Sequence, residues 1–449
     1  MPSNQSPIPI SLPLLLSFAI TLQISADEWP QFRGPTGDGI STAVNVPVEF
    51  GEDQRLAWKT VIPGRGWSSP VFDGEYLWLS TAEEIFPGEE ERLQLLREAG
   101  EEEKKFKQKQ VARSIELAII QVDYETGEIV NKIQLEEIVK PDPIHNLNSY
   151  SSPTPFLTGD KLIAHFGTFG TYCLSTITCE IEWHRRIELE HSVGPGSSPF
   201  VHNNLLILIC DGVDKQFVTA LNVKDGTTAW TVDRPEMRAA TGDQKKSYNT
   251  PIILTGPNGR EQLICMGSQW LVSYEPATGK EFWRLDHGSG FSVVPRPVYS
   301  DEHEILFIST GFGKPELLAI RPDGEGDVTD KNKIIWRDPK RIPSRPSPLI
   351  LGNELYIISE GGIATCFDIA TGNVHWSTRI DGNYSASPLF AEGKIYVSSQ
   401  EGRVTVFEPG TEYKELSANE IDGSIMASPL ALDGSLVFRS DAALYRFSQ

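Results

Sequence analysis

One phrase recurs eight times along this 449-residue chain, and it constrains the fold more than any other feature. Each copy begins with Ser-Ser-Pro or a related tripeptide and continues with short apolar runs separated by turns. The copies are marked by Pro70, Pro153, Pro199, Pro251, Pro297, Pro348, Pro388 and Pro429. After a first interval of 83 residues, successive prolines lie 40 to 52 residues apart, which is the spacing of β-propeller blades.

The sixth copy shows how one repeat folds. Four apolar runs follow Pro348, and they are separated by turns at Gly352-Asn353, Gly361-Gly362 and Thr371-Gly372. Short runs joined by glycine turns are typical of a four-stranded antiparallel sheet. Because such a sheet cannot bury both of its faces alone, the copies must stack on one another. We therefore predict an all-β fold, an eight-bladed β-propeller of four-stranded antiparallel blades.

The N-terminal half of the chain supplies the strand that the last copy lacks. The eighth copy has only three apolar runs, the third at residues 442–447. The run around Trp58 precedes the first copy just as the run around Trp376 precedes the seventh. We expect the N-terminal strand to complete the eighth blade and close the ring. The propeller then spans residues 55–449, after an N-terminal extension over residues 27–54.

A charged insertion accounts for the long first interval. Residues 83–113 are dense in Glu and Lys, and residues 90–98 have the composition of a helix. The segment falls between the second and third strands of the first blade, so we predict one helical insertion in blade one. We interpret it as a solvated surface excursion, and a partner-docking arm is the alternative.

The first 26 residues predict export. Residues 11–22 form an apolar run too short to span a bilayer, and small residues up to Ala26 precede acidic Asp27. This pattern is typical of a signal peptide over residues 1–26, cleaved near Ala26, and predicts a periplasmic or extracellular protein. No later apolar stretch reaches 18 residues, so an integral membrane protein is not expected. The net charge of −21 argues against a nucleic-acid-binding surface.

Neither the cysteines nor the acidic clusters predict a cross-link or a metal site. The five cysteines, an odd number that leaves at least one unpaired, include no CxxC or adjacent pair, and most lie in apolar runs. Asp323, Glu325 and Asp327 are spaced as a Ca²⁺ loop begins, but no Glu follows at the twelfth position. We interpret that segment as a surface turn.

The turns between third and fourth strands carry a family resemblance. Asp368-Ile-Ala-Thr371-Gly372-Asn-Val-His-Trp376 resembles the Asp-x-x-Thr-Gly-x-x-x-Trp repeat of the pyrroloquinoline-quinone-like (PQQ-like) β-propeller superfamily. Residues 29–35 also resemble the N-terminus of exported propellers of this superfamily that are abundant in planctomycete-like bacteria, and the chain as a whole resembles BamB-like and planctomycete-type exported members. The repeat implies that a tryptophan of each outer strand wedges between blades, a role for Trp58, Trp183, Trp230, Trp283, Trp336 and Trp376. Blade one has Asn131 there, and in blade two Cys179 replaces the turn glycine.

The superfamily implies two kinds of function. Quinoprotein dehydrogenases hold PQQ and Ca²⁺ over the propeller axis, with an adjacent Cys-Cys disulfide, a carboxylate-rich Ca²⁺ site and an Asp base. Non-enzymatic members, such as the BamB-like outer-membrane assembly factor, bind proteins and usually carry a lipidated Cys. This chain has no adjacent cysteines and no Cys near the predicted cleavage site. Neither group's markers are therefore complete here.

The loops that lead into the innermost strands lie at one rim of the central funnel. The residues three positions before the repeat prolines are Trp67, Tyr150, Gly196, Tyr248, Val294, Arg345, Ser385 and Met426. We predict a funnel rim that binds a ligand or partner, formed by Arg65, Trp67, His145, Tyr150, His191, Lys245, Tyr248, Arg345 and Tyr384. Aromatic and basic groups suit an acidic partner segment, a flat quinone-like ligand or a carbohydrate. The alternative is that each residue packs only its own loop.

The repeat framework is complete, but it carries no recognisable catalytic constellation. The sequence contains no nucleophile elbow, zinc-protease helix motif or phosphate loop. The leading hypothesis is an exported, monomeric, non-enzymatic binding or scaffold protein that binds a protein partner at the cell envelope without metal or cofactor. The alternatives are a divergent PQQ-dependent alcohol or sugar dehydrogenase using PQQ and Ca²⁺, and a carbohydrate-binding propeller.

Overall fold

Eight antiparallel sheets follow one another around a central channel in the computed structural model of the chain, which describes residues 28–449. The eight-bladed propeller predicted from the repeats is therefore confirmed. The predicted signal peptide, residues 1–26, lies outside the described residues. No helix within residues 28–449 is long and apolar enough to cross a membrane.

In blades 1 to 4 the strands run from the channel outward in chain order. The strands of blade 1 are Val71–Phe72, Tyr76–Ile85, Ser114–Asp123 and Ile129–Val139. The strands of blade 2 are Phe156–Thr158, Lys161–His165, Thr171–Ser175 and Ile181–Arg185. The strands of blade 3 are Phe200–His202, Leu205–Asp211, Gln216–Asn222 and Thr228–Asp233. The strands of blade 4 are Ile252–Thr255, Glu261–Met266, Trp270–Tyr274 and Glu281–Asp286, with Gly326–Asp327 added outside in parallel.

Blades 5 to 7 repeat this order, and blade 8 is completed from the N-terminal side. The strands of blade 5 are Val298–Ser300, Ile305–Ser309, Leu317–Ile320 and Ile334–Asp338. The strands of blade 6 are Leu349–Leu351, Glu354–Ile358, Ile363–Asp368 and Val374–Arg379. The strands of blade 7 are Leu389–Ala391, Lys394–Ser398, Arg403–Glu408 and Lys414–Glu420, with Ile40–Ser41 added inside in parallel. The strands of blade 8 are Leu430–Leu432, Ser435–Arg439, Ala443–Ser448 and, outermost, Leu56–Val61.

The ring is closed as the sequence predicted. Leu56–Val61 pairs antiparallel with Ala443–Ser448, so the two ends of the propeller segment share one sheet. Between blades the core is apolar: Cys173, Ile207 and Cys265 of blades 2, 3 and 4 belong to one buried cluster. All five cysteines are unpaired, and four of them are buried. The four buried cysteines therefore contribute to the core as small apolar residues.

The N-terminal extension is a plug that crosses the central channel; we call residues 28–44 the plug. Trp29 pairs with Phe72 of blade 1, and the side chain of Arg33 donates to the Pro348 carbonyl of blade 6 at 2.7 Å. Ser41 Oγ donates to the Ala431 carbonyl of blade 8. The plug therefore ties together the innermost parts of blades 1, 6 and 8.

The turns between third and fourth strands dock the tryptophans of the preceding blade. Thr371 donates its backbone N–H and its hydroxyl to the Asp368 carboxylate, which holds the turn closed. The indole N–H of Trp336 in blade 5 donates to the Ile369 carbonyl of that turn at 3.1 Å. The same bond to the next blade is made by Trp58, Trp183, Trp230 and Trp376. Trp283 instead donates to Gln262 of its own blade, whose amide reaches the variant turn of blade 5 at Pro322.

The turn glycine is required by both conformation and space. Gly372 has φ of 73°, and a Cβ there would lie 2.6 Å from the Trp336 ring. Gly372→Ala is expected to lower the free energy of unfolding by about 2–4 kcal/mol, since it adds overpacking to the positive-φ penalty. Gly393→Ala in blade 7 is the matched control, because φ is 72° and no atom lies within 4 Å. Equal losses for the two variants in urea unfolding would contradict the docking account.

Two departures from the repeat, the missing tryptophan of blade 1 and the missing turn glycine of blade 2, meet at one junction. Cys179 of blade 2 has φ of 59°, so a side chain occupies the position that glycine holds elsewhere. The facing residue of blade 1 is Asn131, whose amide lies 3.6 Å from the Cys179 sulfur and donates to Gln121. A tryptophan has no room against a turn that carries a Cβ. The smaller Asn131 in place of the tryptophan thus leaves room for the side chain of Cys179 in place of the glycine.

The insertion between the second and third strands of blade 1 folds onto the rim of the channel. Its helix is Glu89–Glu98, followed by a 3₁₀ helix, Glu103–Gln108. Leu95, Leu96, Phe106 and Val111 form its own small core. A short strand, Lys109–Gln110, then pairs with Ile144–His145 in the loop before blade 2. The helical insertion is confirmed, and it packs against the ring as part of the rim.

Candidate functional site

A cavity of about 590 Å³ occupies one mouth of the central channel, and we call it the cup. The loops that lead into the innermost strands build its walls. The position three residues before the repeat proline lines the cup in seven blades, at Trp67, Gly196, Tyr248, Val294, Arg345, Ser385 and Met426. The repeat thus delivers one residue per blade to the cup, and the identity of that residue differs from blade to blade.

Hydroxyl side chains form the lower wall of the cup. The residue just before the repeat proline lines the cup at Ser69, Ser152, Ser198, Thr250, Ser387 and Ser428. Several of these hydroxyls accept a backbone N–H from the preceding blade, as Ser428 does from Ser387 at 2.9 Å. Ser387 likewise accepts from Ser347 at 3.0 Å. The Ser-Ser-Pro phrase therefore has a structural cause, because its second serine joins neighbouring blades.

The plug closes the bottom of the cup. Phe32, in the middle of the plug, is one of the lining residues. It is held there by Arg296 of blade 5, which donates to the Phe32 carbonyl at 2.8 Å. Arg296 is buried, and burial lowers its pKa to about 9. The cup is therefore open at one mouth and floored by an aromatic ring.

The insertion supplies part of the rim. Gln108 lines the cup, and its carbonyl accepts the backbone N–H of Asn146 at 2.9 Å. The buried ammonium of Lys109 bonds the Glu101 carboxylate and the Ser192 carbonyl. The insertion is thus fixed to the loops before blades 2 and 3.

A shared carboxylate links the insertion to the cup. Asp243 accepts from Lys105 of the insertion and from Lys246, each at 2.9 Å, and from Ser192 at 3.1 Å. Although burial opposes it, the bonds from Lys105 and Lys246 hold the pKa of Asp243 well below its usual range. Lys246 lines the cup and is 4% exposed, whereas Asp243 is outside the lining. Lys246 therefore contributes to the wall of the cup, and its ammonium group is paired with a carboxylate that lies outside the lining.

The electrostatics of the cup are cationic. Burial first, and then the charges of Lys109, Arg345 and Lys246, lower the pKa of His145. Arg345 has its nearest carboxylate, Glu360, 3.9 Å from Nε, and that Nε has no hydrogen-bond partner among the described residues. No Asp or Glu within residues 28–449 lines the cup. A protein of net charge −21 thus presents a carboxylate-free pocket with two cations.

Four of the nine predicted rim residues line the cup: Trp67, His145, Tyr248 and Arg345. Tyr150 and Tyr384 do not reach it, because both are fully buried within their loops. The Tyr150 hydroxyl accepts the backbone N–H of Ala112 in the insertion, and the Tyr384 hydroxyl donates to the Asp381 carbonyl. These two tyrosines support the loops of the rim and do not line the cup.

Three further predicted residues lie near the cup without lining it. Arg65 makes a two-pronged pair with Glu84, at 2.8 and 2.9 Å, and stacks on the Trp67 ring. His191 lies behind Tyr248, whose hydroxyl donates to the His191 carbonyl at 2.8 Å. Lys245 is half-buried outside the lining, and the adjacent Lys246 takes the place predicted for it.

The neutral histidines near the cup make stability depend on pH. The ring nitrogens of His191 are buried without a hydrogen-bond partner in the described part of the chain, and burial lowers its pKa to about 4. An unfolded histidine titrates near pH 6.5, so the unfolded chain binds more protons between about pH 6.5 and 4. Stability is therefore complete above about pH 6.5 and falls as the pH is lowered towards 4, by about 3 kcal/mol for this residue.

His191→Leu should remove that part of the loss, as measured by urea unfolding at pH 7, 5.5 and 4. The exposed His375→Leu serves as the control for losing a histidine. If His191→Leu keeps the full pH dependence of the wild type, His191 is not the group that titrates.

Several lining residues escaped the sequence analysis. Phe291 and Phe312 form a wall by pairing across the loops of blades 4 and 5. Leu147 lies at the rim, where its carbonyl accepts the indole N–H of Trp67. Phe312, Leu147 and Phe32 lie off the repeat position, so the period does not mark them. The row of hydroxyls was visible in the sequence as the serine or threonine before seven of the eight repeat prolines, the exception being Arg296 before Pro297.

Comparison with known proteins identifies the fold. A family model described as outer membrane protein assembly factor BamB matches residues 116–378 and 259–449. BamB from Moraxella catarrhalis has a similar structure, with a TM-score of 0.51 and 14% identity over 76% of this chain and 94% of that one. Quinohemoprotein alcohol dehydrogenase from Comamonas testosteroni is also similar, with a TM-score of 0.61 and 11% identity over 94% of this chain and 80% of that one. At these identities the likeness concerns the fold alone.

One curated relative matches a short part of the sequence. Quinoprotein glucose dehydrogenase A of Acinetobacter calcoaceticus is 39% identical over 67 residues. The match covers 14% of this chain and 8% of that protein, so the chain spans only a small part of the relative's length.

The donor set of the cup does not fit a Ca²⁺-dependent quinone. Calcium takes six to eight oxygen ligands, with carboxylates prominent among them. The cup has no carboxylate, and residues 28–449 contain no group of three or more His, Cys, Asp or Glu placed to hold a metal ion. Lys246 and Arg345 would repel a divalent cation in the same space. The segment 323–327, which is spaced like the start of a Ca²⁺ loop, lies at the surface, where Asp323 pairs with Lys333.

Proposed function

The chain belongs to the family of BamB-type PQQ-like β-propellers, and we propose that it is an exported, non-catalytic binding protein that holds a protein partner at the cell envelope. The observation that carries this proposal is the cup. It gathers aromatic rings, hydroxyls and cations, and no Asp or Glu within residues 28–449 lines it to bind Ca²⁺ or to act as a general base beside His145. His145 lines the cup among cations, without a carboxylate to orient its ring.

The rigidity of the mouth supports a binding role. The insertion, the loop before blade 2 and the loop before blade 3 are cross-connected by Lys109, Asn148 and Asp243. A pre-formed mouth reduces the ordering cost of association. The proposed export and envelope location rest on the signal-peptide pattern of residues 1–26. We also propose that the protein acts as a monomer.

Photo-crosslinking in cells tests the binding role. A photo-reactive amino acid at Leu147, which is 51% exposed at the rim, is expected to capture a protein partner. The control site is Ile177, which is 79% exposed in a turn at the opposite end of the blade 2 strands. The adduct should come from position 147 and not from 177, and it should be found in the envelope fraction. Absence of an adduct at 147, or equal adducts at both sites, would count against the proposal.

A quinoprotein dehydrogenase is the second candidate, favoured by the 67-residue match to a glucose dehydrogenase. The mature protein would be incubated with PQQ, Ca²⁺ and a panel of alcohols and sugars, and reduction of a dye acceptor would be followed. We expect no reduction above the rate without protein. Sustained turnover would replace the binding proposal by the enzymatic one.

A further inference from the structure

We propose that the cup recognises an acidic segment of a partner polypeptide, in which a carboxylate side chain sits between apolar residues, and that Lys246 and Arg345 bind the carboxylate. The inference rests on the proposed function and names the chemistry of the partner. It follows from three features of the cup: its cationic side chains, the Ser69 hydroxyl that lacks a hydrogen-bond partner within residues 28–449, and an apolar rim that continues outside the cavity.

Charge complementarity selects an anion. Lys246 and Arg345 belong to the loops before blades 4 and 6, and both line the cup. The Arg345 Nε makes no hydrogen bond within residues 28–449, and its nearest carboxylate, Glu360, lies 3.9 Å away. Lys246 bonds Asp243 through one ammonium proton and has two more to donate. Both groups are substantially withdrawn from water, so each gains most from a charge-assisted hydrogen bond. Among protein groups, a carboxylate both accepts hydrogen bonds from Lys and Arg and carries the opposite charge.

A buried polar group in the lower wall also lacks a partner. Ser69 is 3% exposed and lines the cup, and its Oγ makes no hydrogen bond to any residue within 28–449. Buried hydroxyls are normally satisfied, so this one is available to a polar group of the occupant. The occupant therefore has polar atoms deep in the cup, close to the Phe32 floor.

The rim argues for a polypeptide and against a small acid. Leu147 and Phe312 line the cup while remaining 51% and 37% exposed. On the side of blade 1, the guanidinium of Arg65 lies between the rings of Trp67 and the exposed Phe86. Apolar surface thus continues from inside the cup across the rim. A chain that places a carboxylate in the cup and apolar side chains on either side covers this surface, whereas a small acid leaves it in water.

Selection from a random twelve-residue peptide phage library tests the inference. Wild-type protein is expected to enrich peptides with Asp or Glu next to aromatic or aliphatic residues. Arg345→Gln and Lys246→Gln should lose that acidic preference. Arg341→Gln is the matched control, because Arg341 is an exposed cation of the same loop that donates to Ser377 and does not line the cup. Thermal melting establishes that each variant is folded.

The best enriched peptide is then synthesised with its carboxylate intact or as the amide. Calorimetry should show affinity falling about tenfold or more for the amide peptide and for either cup variant, and falling as salt is raised. Peptides without acidic preference, or an unchanged affinity in Arg345→Gln and Lys246→Gln, would overturn the inference. If the Leu147 adduct still forms in that case, the proposed function stands. No enrichment together with no adduct would contradict both, and tight binding of PQQ without peptide binding would assign the cup to a small acid.

Discussion

Replacing Asp211 by alanine is expected to lower the free energy of unfolding by about 3–5 kcal/mol, the largest loss we expect from a single polar side chain. Asp211 ends the second strand of blade 3 and pairs with Arg234, at 3.1 and 3.0 Å, where both side chains are at most 1% exposed. Arg234 also donates to the carbonyls of Cys265 and Met266 in blade 4. The variant leaves a buried guanidinium without its counter-ion.

Urea unfolding of three variants separates this effect from ordinary surface changes. Asp233→Ala, at an exposed neighbouring position, is expected to stay within about 0.5 kcal/mol of the wild type. The double variant Asp211→Leu/Arg234→Met should recover much of the loss, because an apolar pair replaces a buried ionic one. A loss below about 1 kcal/mol in Asp211→Ala would show that water reaches Arg234 and that the pair does not join the blades.

Replacing Trp29 by alanine is the second large effect, with an expected loss of about 3–5 kcal/mol. Trp29 begins the plug, is 2% exposed, and packs against the positive-φ Gly34, where a Cβ would lie 2.8 Å from its ring. Its backbone pairs with Phe72 in blade 1. The substitution empties a site at which the plug is held to the innermost strands, and the surrounding strands are too constrained to fill it.

Val44→Ala, near the other end of the plug and 50% exposed, is the control and should cost well under 1 kcal/mol. If Trp29→Ala is as stable as Val44→Ala, the plug is not part of the cooperative unit. The floor of the cup would then be a loose segment, and Phe32 would not be a fixed lining residue.

The fold could be predicted because each blade is formed by a short, continuous stretch of sequence and the same pattern of strands and turns recurs in every blade. The proline spacing counted the blades, and the short eighth copy together with the run at Trp58 predicted the closure. The missing tryptophan at Asn131 and the missing glycine at Cys179 were both visible, but they looked like separate defects. Only the contact between them, across the junction of blades 1 and 2, shows that one change accommodates the other.

The cup was predicted in part. The position three residues before each proline identified the loop that lines the cup, and Trp67, Tyr248 and Arg345 at that position are lining residues. The repeat position does not determine the direction in which a side chain points. Tyr150 and Tyr384, which were predicted to face the funnel, are buried within their loops. The sequence did not predict that the plug forms the floor of the cup. Contacts such as that of Arg33 with Pro348 join residues that are far apart in the sequence and do not belong to the repeat.

Calorimetric titration of the mature protein with PQQ, in the presence and absence of Ca²⁺, tests the central claim most directly. The account predicts no Ca²⁺-dependent binding, because the cup offers two cations and no carboxylate ligand. Tight binding of PQQ that requires Ca²⁺ would contradict the account and make the propeller a quinoprotein.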